Sequence, residues 1–537
     1  MRPWRAAAVS VILPVVAAVA VLGASVPTAR AGSGVGGSGS AVVRTNDGLI
    51  RGVVSANYRT FSGIPYAAAP VGELRWRPPR PESPWRGIRN ATKPGSVCPQ
   101  QGRPGQPTVV GSENCLYLNV TTPIGHGPVK SLPVMVWFHG GGFATGAGSE
   151  YDTTRLVMRG NVIAVTVNYR LGALGLLDLP ALAADGGYAG DYALADQQAA
   201  LRWVRRNAAA FGGDPQNVTI FGQSAGAYSV CANLAAPGSR GLFQKAIVQS
   251  GPCSNAFVTT ATALRRDTKL VAGLGCSTAA DVVACLRTKP ASDFVALDDS
   301  GALRIAPLNA VPWEFTVGGQ ALPQQPFSTL LSGTAARVPL ILGSNRDEMT
   351  VAVAVAYNLQ GKPVTDENYL PILTELFGRR ASAIAAAYPL AAYPSAFQAL
   401  SAVITDWGRM PIGACPMLPL DDAASRRAPV YAYEFAQDDG LKLDGLHLGA
   451  THGSELPYLF DGTFDWSPPP PPNPALAAQM ISYWTQFAHT GNPNGGMAAY
   501  WPGYRPGRRI LSLAAGPGGI ALTDFAANHH CSFWHER

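Results

Sequence analysis

Around Ser224 the chain runs Val218-Thr219-Ile220-Phe221, then Gly222-Gln223-Ser224-Ala225-Gly226, then a helix-compatible stretch from Ala225 to Leu234. No other feature constrains the fold as much. β-Branched and aromatic residues bounded by glycine read as a buried strand, and the residues after Gly226 suit a helix. A strand that reverses into a helix within so few residues needs a sharp turn. Glycines flanking the serine relieve the crowding there and leave its hydroxyl exposed at the tip. The five-residue pattern alone is weak, because short motifs recur by chance. Its position between a strand and a helix gives it weight.

Further apolar segments read as buried strands: Pro133 to Phe138, Asn161 to Tyr169, Lys245 to Gln249, Val338 to Leu342 and Val430 to Phe435. Helical stretches separate them. From Asp191 to Phe211, for example, Leu194, Leu201 and Val204 recur at helical spacing. Alternating strands and helices predict an α/β fold with a mostly parallel central sheet covered by helices on both faces. The Ala-rich stretch from Thr374 to Ala402 reads as an inserted, cap-like helical segment. Pro468 to Pro472 reads as a stiff surface loop. There is no internal repeat, and residues 41–537 are expected to form one domain.

The N-terminus belongs to a different category. Arg2 and Arg5 precede an apolar run from Ala6 to Ala24, and Ala29-Arg30-Ala31 matches a cleavage site. Residues 1–31 therefore read as a signal peptide, and 32–40 as a Gly/Ser-rich leader of the secreted chain. The rival reading, an uncleaved anchor, is disfavoured because Ser10 and Pro14 interrupt a run of marginal length. Without Arg2, Arg5 and Arg30 the formal charge falls from +7 to +4, too mild to point to nucleic acid. Export also bears on the eight cysteines, which are expected in disulfides. With neither a CxxC nor an HExxH motif, no metal or other cofactor is implied.

A serine on a sharp turn suggests nucleophilic chemistry, which needs a base, an acid to orient it, and donors for an oxyanion. His139-Gly140-Gly141-Gly142-Phe143 follows the strand ending at Phe138 and suits an oxyanion loop, with the N–H of Ala225 completing the set. In such folds the acid and base follow the serine in the chain. His447 and His452 both come after the strand Val430 to Phe435. His452, beside Gly453, is preferred. For the acid, Gly343-Ser344-Asn345-Arg346-Asp347-Glu348 follows a strand and offers both Asp347 and Glu348, between which spacing does not choose.

These residues resemble the type-B carboxylesterase and cholinesterase family from about Arg44 to Trp534. Glu113-Asn114-Cys115-Leu116-Tyr117-Leu118-Asn119 is similar to its E-D-C-L-Y-L-N signature, with Asn114 in place of Asp. Asp196-Gln197, Asn207, Phe211-Gly212-Gly213-Asp214-Pro215, Gln249-Ser250-Gly251 and Tyr483-Trp484-Thr485-Gln486-Phe487 also match.

The resemblance implies the α/β-hydrolase fold and a serine ester hydrolase with Ser224 as nucleophile, His452 as base and Glu348 as acid. Gly141, Gly142 and Ala225 would be the oxyanion donors, with Gln223, Ser250 and Glu455 supporting the site. It further implies the disulfides Cys98 to Cys115, Cys276 to Cys285 and Cys415 to Cys531. Parity then suggests a fourth, Cys231 to Cys253. Gln223 replaces the family's usual Glu, Met349 a Gly, and Gly318 an Asp. Residues 99–114 contain no aromatic residue, whereas cholinesterases place a choline-binding Trp in that loop, so choline esters are not expected. Phe143, Trp313 and Trp407 are candidate pocket residues, and the expected partner is a small-molecule ester. A lipase or amidase on the same site and a non-catalytic binding relative are the alternatives. No stable membrane insertion is expected after cleavage, and nothing in the sequence indicates an oligomeric state.

Overall fold

A computed structural model describes residues 42–535, apart from 104–105, 125–130, 187, 298–312, 409–410, 463–472 and 497. The proposed leader and the proline run therefore lie outside the described residues. Eleven strands form one twisted sheet. In chain order they are β1 (Val53–Val54), β2 (Tyr58–Pro65), β3 (Tyr117–Pro123), β4 (Leu132–Phe138), β5 (Ile163–Val167), β6 (Gly213–Gln223), β7 (Lys245–Gln249), β8 (Leu340–Asn345), β9 (Val430–Phe435), β10 (Ile510–Leu513) and β11 (Ile520–Thr523). Their spatial order is β11-β10-β9-β8-β7-β6-β4-β5-β3-β2-β1. From β5 to β10 neighbouring strands run parallel, while β1 to β3 and β11 close the two edges antiparallel.

The mostly parallel sheet follows from strands that are apolar on both faces. Val134, Val136 and Phe138 of β4 join one core, whereas Met135 and Trp137 join the other. The same alternation sends Leu340 and Leu342 of β8 to the first core and Ile341 to the second. Both layers must then be helical, and the crossovers supply them. α1 (Tyr192–Asn207) and α2 (Ala225–Ala235) cover the first face, and α3 (Pro474–Thr490) the second.

The strand expected at Val218 to Phe221 is longer, because its pairing with β4 starts at Gly213 and resumes, after a register shift, at Val218. The Ala-rich stretch forms three helices, Asp366–Phe377, Ala381–Ala387 and Ala396–Asp406. Their breaks fall at Gly378 and around Pro389 and Pro394, where helix propensity is lost. Cys98–Cys115, Cys231–Cys253, Cys276–Cys285 and Cys415–Cys531 are disulfide-bonded. Among the described residues no helix is long and apolar enough to cross a membrane.

Candidate active site

The site lies at the C-terminal ends of the parallel strands, where sites in open α/β sheets occur. Ser224 caps α2 and takes φ +58°, ψ −124°, backbone that a side-chain-bearing residue adopts only at a cost of about 1–3 kcal/mol. Its glycine neighbours show why the turn is tight. A Cβ on Gly226 would lie 1.9 Å from the Phe138 carbonyl oxygen, and one on Gly222 would lie 2.4 Å from that of Gly226. Ser224 N–H donates to the Gln249 carbonyl of β7 at 3.0 Å, which anchors the turn on the next strand. Most of the surroundings are buried, but Ser224 is half-buried and Gly142 exposed, so the turn opens to solvent.

The glycine loop lies against this turn. A Cβ on Gly140 would meet Gln223 Oε1 at 2.9 Å and Ser224 Cβ at 3.3 Å. Gly141 and Gly142 take φ of +103° and +61°. Among the described residues neither Gly141, Gly142 nor Ala225 donates its N–H to an intramolecular acceptor, and Ala225 heads a helix whose first N–H groups are unused by the helix itself. Positive helix-end potential and free N–H groups beside a serine favour a developing negative charge. His139 holds the loop. Its ring stacks on Tyr169 at 4.4 Å, and the Tyr169 hydroxyl donates to the His139 carbonyl at 2.6 Å. Burial pushes the imidazole pKa down to about 4, so the ring is neutral.

Geometry separates the candidates that spacing left open. His452 Nδ1 lies 2.6 Å from Glu348 Oε2, with both side chains buried. Asp347 is used elsewhere: its Oδ2 accepts from Ala450 N–H at 2.8 Å and so shapes the loop that carries His452. His447 sits on a small hairpin and pairs with Asp438 at 3.1 Å. The second oxygen of Glu348 accepts from Asn345 N–H at 2.7 Å. Burial opposes charge on His452, but Glu348, by charge and hydrogen bond, more than compensates and raises its pKa above the ordinary histidine value.

Glu455, fully buried, accepts from Asn345 Nδ2 at 2.8 Å and Gln249 Nε2 at 3.2 Å. Burial and then the neighbouring Glu348 raise its pKa. Ser250 donates its N–H to the Gly343 carbonyl at 2.8 Å. Gln223 places its amide nitrogen 3.0 Å from His452 Nε2.

The aromatic candidates divide. Phe143 packs edge-on against Phe315, with ring centroids 4.9 Å apart, and Phe315 stacks on Phe257. Trp313 lies under the Arg266 guanidinium, and Trp407 packs against Phe377 in the helical cap. Phe257 and Phe315 were not singled out from the sequence, and neither was Asn345, whose backbone N–H bonds Glu348 while its side-chain amide bonds Glu455. Asn345 lies inside the motif ending at Glu348, which was the available signal. Two departures prove undemanding: Met349 takes φ −98°, where no glycine is needed, and Gly318 takes φ +100°, which suits it.

A family model described as "Carboxylesterase family" matches residues 39–534. The chain is similar to the para-nitrobenzyl esterase of Bacillus subtilis (strain 168), 35% identical over 485 residues that cover 86% of this chain and 92% of the relative. It is also similar to the human (Homo sapiens) cocaine esterase, 33% identical over 540 residues, covering 93% and 91% of the two chains. Among solved structures, a PNB esterase superposes with a TM-score of 0.72 at 34% identity, covering 90% of this chain and 97% of the other.

Proposed function

Since the chain belongs to the carboxylesterase family and is a carboxylesterase-type hydrolase, we propose that it cleaves small neutral carboxylic esters through an acyl-enzyme formed on Ser224. One observation carries this reading: the bonded pair Glu348–His452 stands beside a strained turn that presents Ser224, Gln223 of that same turn touching the imidazole. Ser224 Oγ attacks the ester carbonyl as His452 Nε2 accepts its proton. Glu348 keeps Nδ1 protonated and balances the imidazolium. The N–H groups of Gly141, Gly142 and Ala225 receive the oxyanion. His452 then returns the proton to the leaving alcohol, and water, activated by the same base, releases the acid.

Gln223 leaves no negative charge beside the serine, and residues 99–114 offer no aromatic ring to a quaternary ammonium. Both features favour neutral esters over choline esters. Phe143, with Phe315 and Phe257 behind it, supplies an apolar wall for the acyl group. Four disulfides suit an oxidising compartment, in keeping with residues 1–31 acting as an export signal. The test is hydrolysis of p-nitrophenyl esters of increasing chain length by the wild type and Ser224→Ala. We expect turnover of short, soluble esters and its loss in the variant, together with stoichiometric fluorophosphonate labelling of the wild type. Wild-type rates in Ser224→Ala would reject the reading.

A further inference from the structure

The end of the sheet opposite the Ser224 turn is rich in arginine. Strands β8, β9 and β10 are parallel neighbours, and the chain entering each brings guanidinium groups. Arg337 stands three residues before β8, Arg426 and Arg427 four and three before β9, and Arg505, Arg508 and Arg509 in the loop before β10. All six are exposed. Because Leu340 pairs with Val430, Arg337 and Arg427 enter in register. Both lie against Gly333: Arg337 Nη2 donates to its carbonyl at 3.4 Å, and a Cβ there would lie 3.1 Å from Arg427 Cζ. Arg505 Nε donates to Ser425 Oγ at 2.7 Å, beside Arg426. The six side chains are thus rooted at strand ends about 5 Å apart.

Few carboxylates answer them. Asp422 pairs with Arg508 at 2.6 Å and with Arg505 at 3.7 Å. Burial, and then the neighbouring Asp422, pushes the Asp421 carboxyl well above the carboxylate range, so it adds no charge. Asp524 follows Thr523, which pairs with Ile510 next to Arg509, but its carboxylate caps the helix Phe525–Asn528. Among the described residues Arg337, Arg426, Arg427 and Arg509 have no carboxylate partner. The modest net charge of the chain therefore hides a strongly positive end. Two side chains with apolar bodies border it. Leu331, 46% exposed, lies at the end of the helix Pro326–Ser332, and Tyr500, 74% exposed, in the loop before β10.

We propose that this end docks on the surface of an anionic phospholipid bilayer, the arginines pairing with lipid phosphates while Leu331 and Tyr500 enter the headgroup layer. A guanidinium matches a phosphate with two parallel N–H···O bonds, and each cation held near an anionic membrane strengthens binding about fivefold. Leu331 and Tyr500 single out a bilayer over a soluble polyanion. A hydrated polymer offers them nothing, whereas tyrosine settles at the membrane–water interface. Docking is peripheral, since among the described residues no helix is long and apolar enough to cross a membrane. β8 is six residues long, so the edge that carries the Ser224 turn stands about 20 Å from the docked end and faces solvent.

The experiment uses residues 32–537, which contain the fold but not the apolar run from Ala6 to Ala24 that would bind lipid by itself. Co-sedimentation with vesicles of phosphatidylglycerol and phosphatidylcholine, against phosphatidylcholine alone, reads binding as salt is raised. We expect binding to the anionic vesicles only, weakening with salt. Arg337→Gln, Arg426→Gln and Arg427→Gln together should lower the affinity on the order of 100-fold. Leu331→Ser with Tyr500→Ser should lower it by a smaller factor and keep the salt dependence. Arg86→Gln, Arg265→Gln and Arg379→Gln together remove the same charge from exposed positions elsewhere, and should leave the affinity within about twofold of wild type, because charges beyond a Debye length are screened. Thermal unfolding midpoints like that of the wild type show that the variants are folded, and the lipid and salt series needs no variant. Failure to sediment with anionic vesicles at low salt, even if immobilised polyphosphate captures the protein, would overturn the proposal. So would an equal loss in the two arginine triples, or wild-type affinity in Leu331→Ser with Tyr500→Ser.

Discussion

Replacing His529 with glutamine should destabilise the fold by about 4 kcal/mol at pH 7. The His529 ring is buried between two carboxylates, with Nδ1 2.5 Å from Asp406 Oδ1 and Nε2 2.7 Å from Glu434 Oε1. Both nitrogens must donate, so the ring is an imidazolium. Burial works against that charge, but Asp406 and Glu434 outweigh it and push the pKa up to about 10. A group whose folded pKa lies above its unfolded value of about 6.5 stabilises in full below that value, and the contribution is lost as pH rises through about 10. Roughly three pH units separate pH 7 from the folded pKa, and about 1.4 kcal/mol per unit gives the stated figure, within the range for breaking a buried ion pair. The cation joins the helix ending at Asp406, strand β9 and the tail tied down by Cys415–Cys531. Urea unfolding followed by tryptophan fluorescence, from pH 6 to 10, measures it. Wild-type stability should fall toward pH 10 by up to about 1.4 kcal/mol per unit from this group, a slope missing in the variant. A difference below about 1 kcal/mol at pH 7, or one that is independent of pH, would refute the reasoning.

Other outcomes follow from the site. Glu348→Gln should keep the fold but lower kcat/KM for a short p-nitrophenyl ester by about 10³- to 10⁴-fold, as loss of the orienting acid does in serine triads; a loss under tenfold would remove Glu348 from that role. Gly226→Ala puts a Cβ 1.9 Å from the Phe138 carbonyl oxygen, so soluble yield or the unfolding midpoint should drop sharply, by more than about 3 kcal/mol. Replacing both Cys231 and Cys253 with serine opens a 22-residue separation between α2 and the segment after β7, and should cost about 3 kcal/mol. Differential scanning calorimetry of the oxidised proteins reads that loss, and an unchanged midpoint would count against it.

How much of this is visible in the sequence depends on the range of each interaction. The parallel strands are readable because each is apolar on both faces, and the turn at Ser224 because its glycines are local. Glu348 over Asp347 is different. Both carboxylates follow the same strand, and the choice depends on Ala450 N–H, more than a hundred residues away, occupying Asp347. His529 reads as an ordinary tail histidine until Asp406 and Glu434 converge on it from two other elements. The antiparallel strands β1 to β3 were not read from the sequence, because β1 has only two residues and polar residues interrupt the apolar ones in β2 and β3, as in Tyr58-Arg59-Thr60-Phe61-Ser62 and Tyr117-Leu118-Asn119-Val120-Thr121.

The strain at Ser224 has a counterpart in how these loops are held. Ser224 and Ser250 both take positive φ, at +58° and +55°, each just after the end of a strand. Each donates its N–H to the neighbouring strand: Ser224 to Gln249 of β7, Ser250 to Gly343 of β8. Arg346, after β8, does the same with Phe435 of β9 at 2.9 Å. These turns, two of them strained, are thus linked in series across the strand ends, from β6 to β9, and the loop carrying His452 joins the series through its N–H to the Glu348 carbonyl. Such strain persists only where surrounding bonds over-determine the conformation. Here the bonds that sustain it also set the spacing between the proposed nucleophile, acid and base, because the first two hang on turns whose backbone rests on the adjacent strand and the third on a loop bonded to the turn that carries Glu348. A register slip in any one of β7, β8 or β9 would therefore disturb the Ser224 turn and the Glu348–His452 pair together, which makes the order of the sheet part of the proposed catalytic geometry.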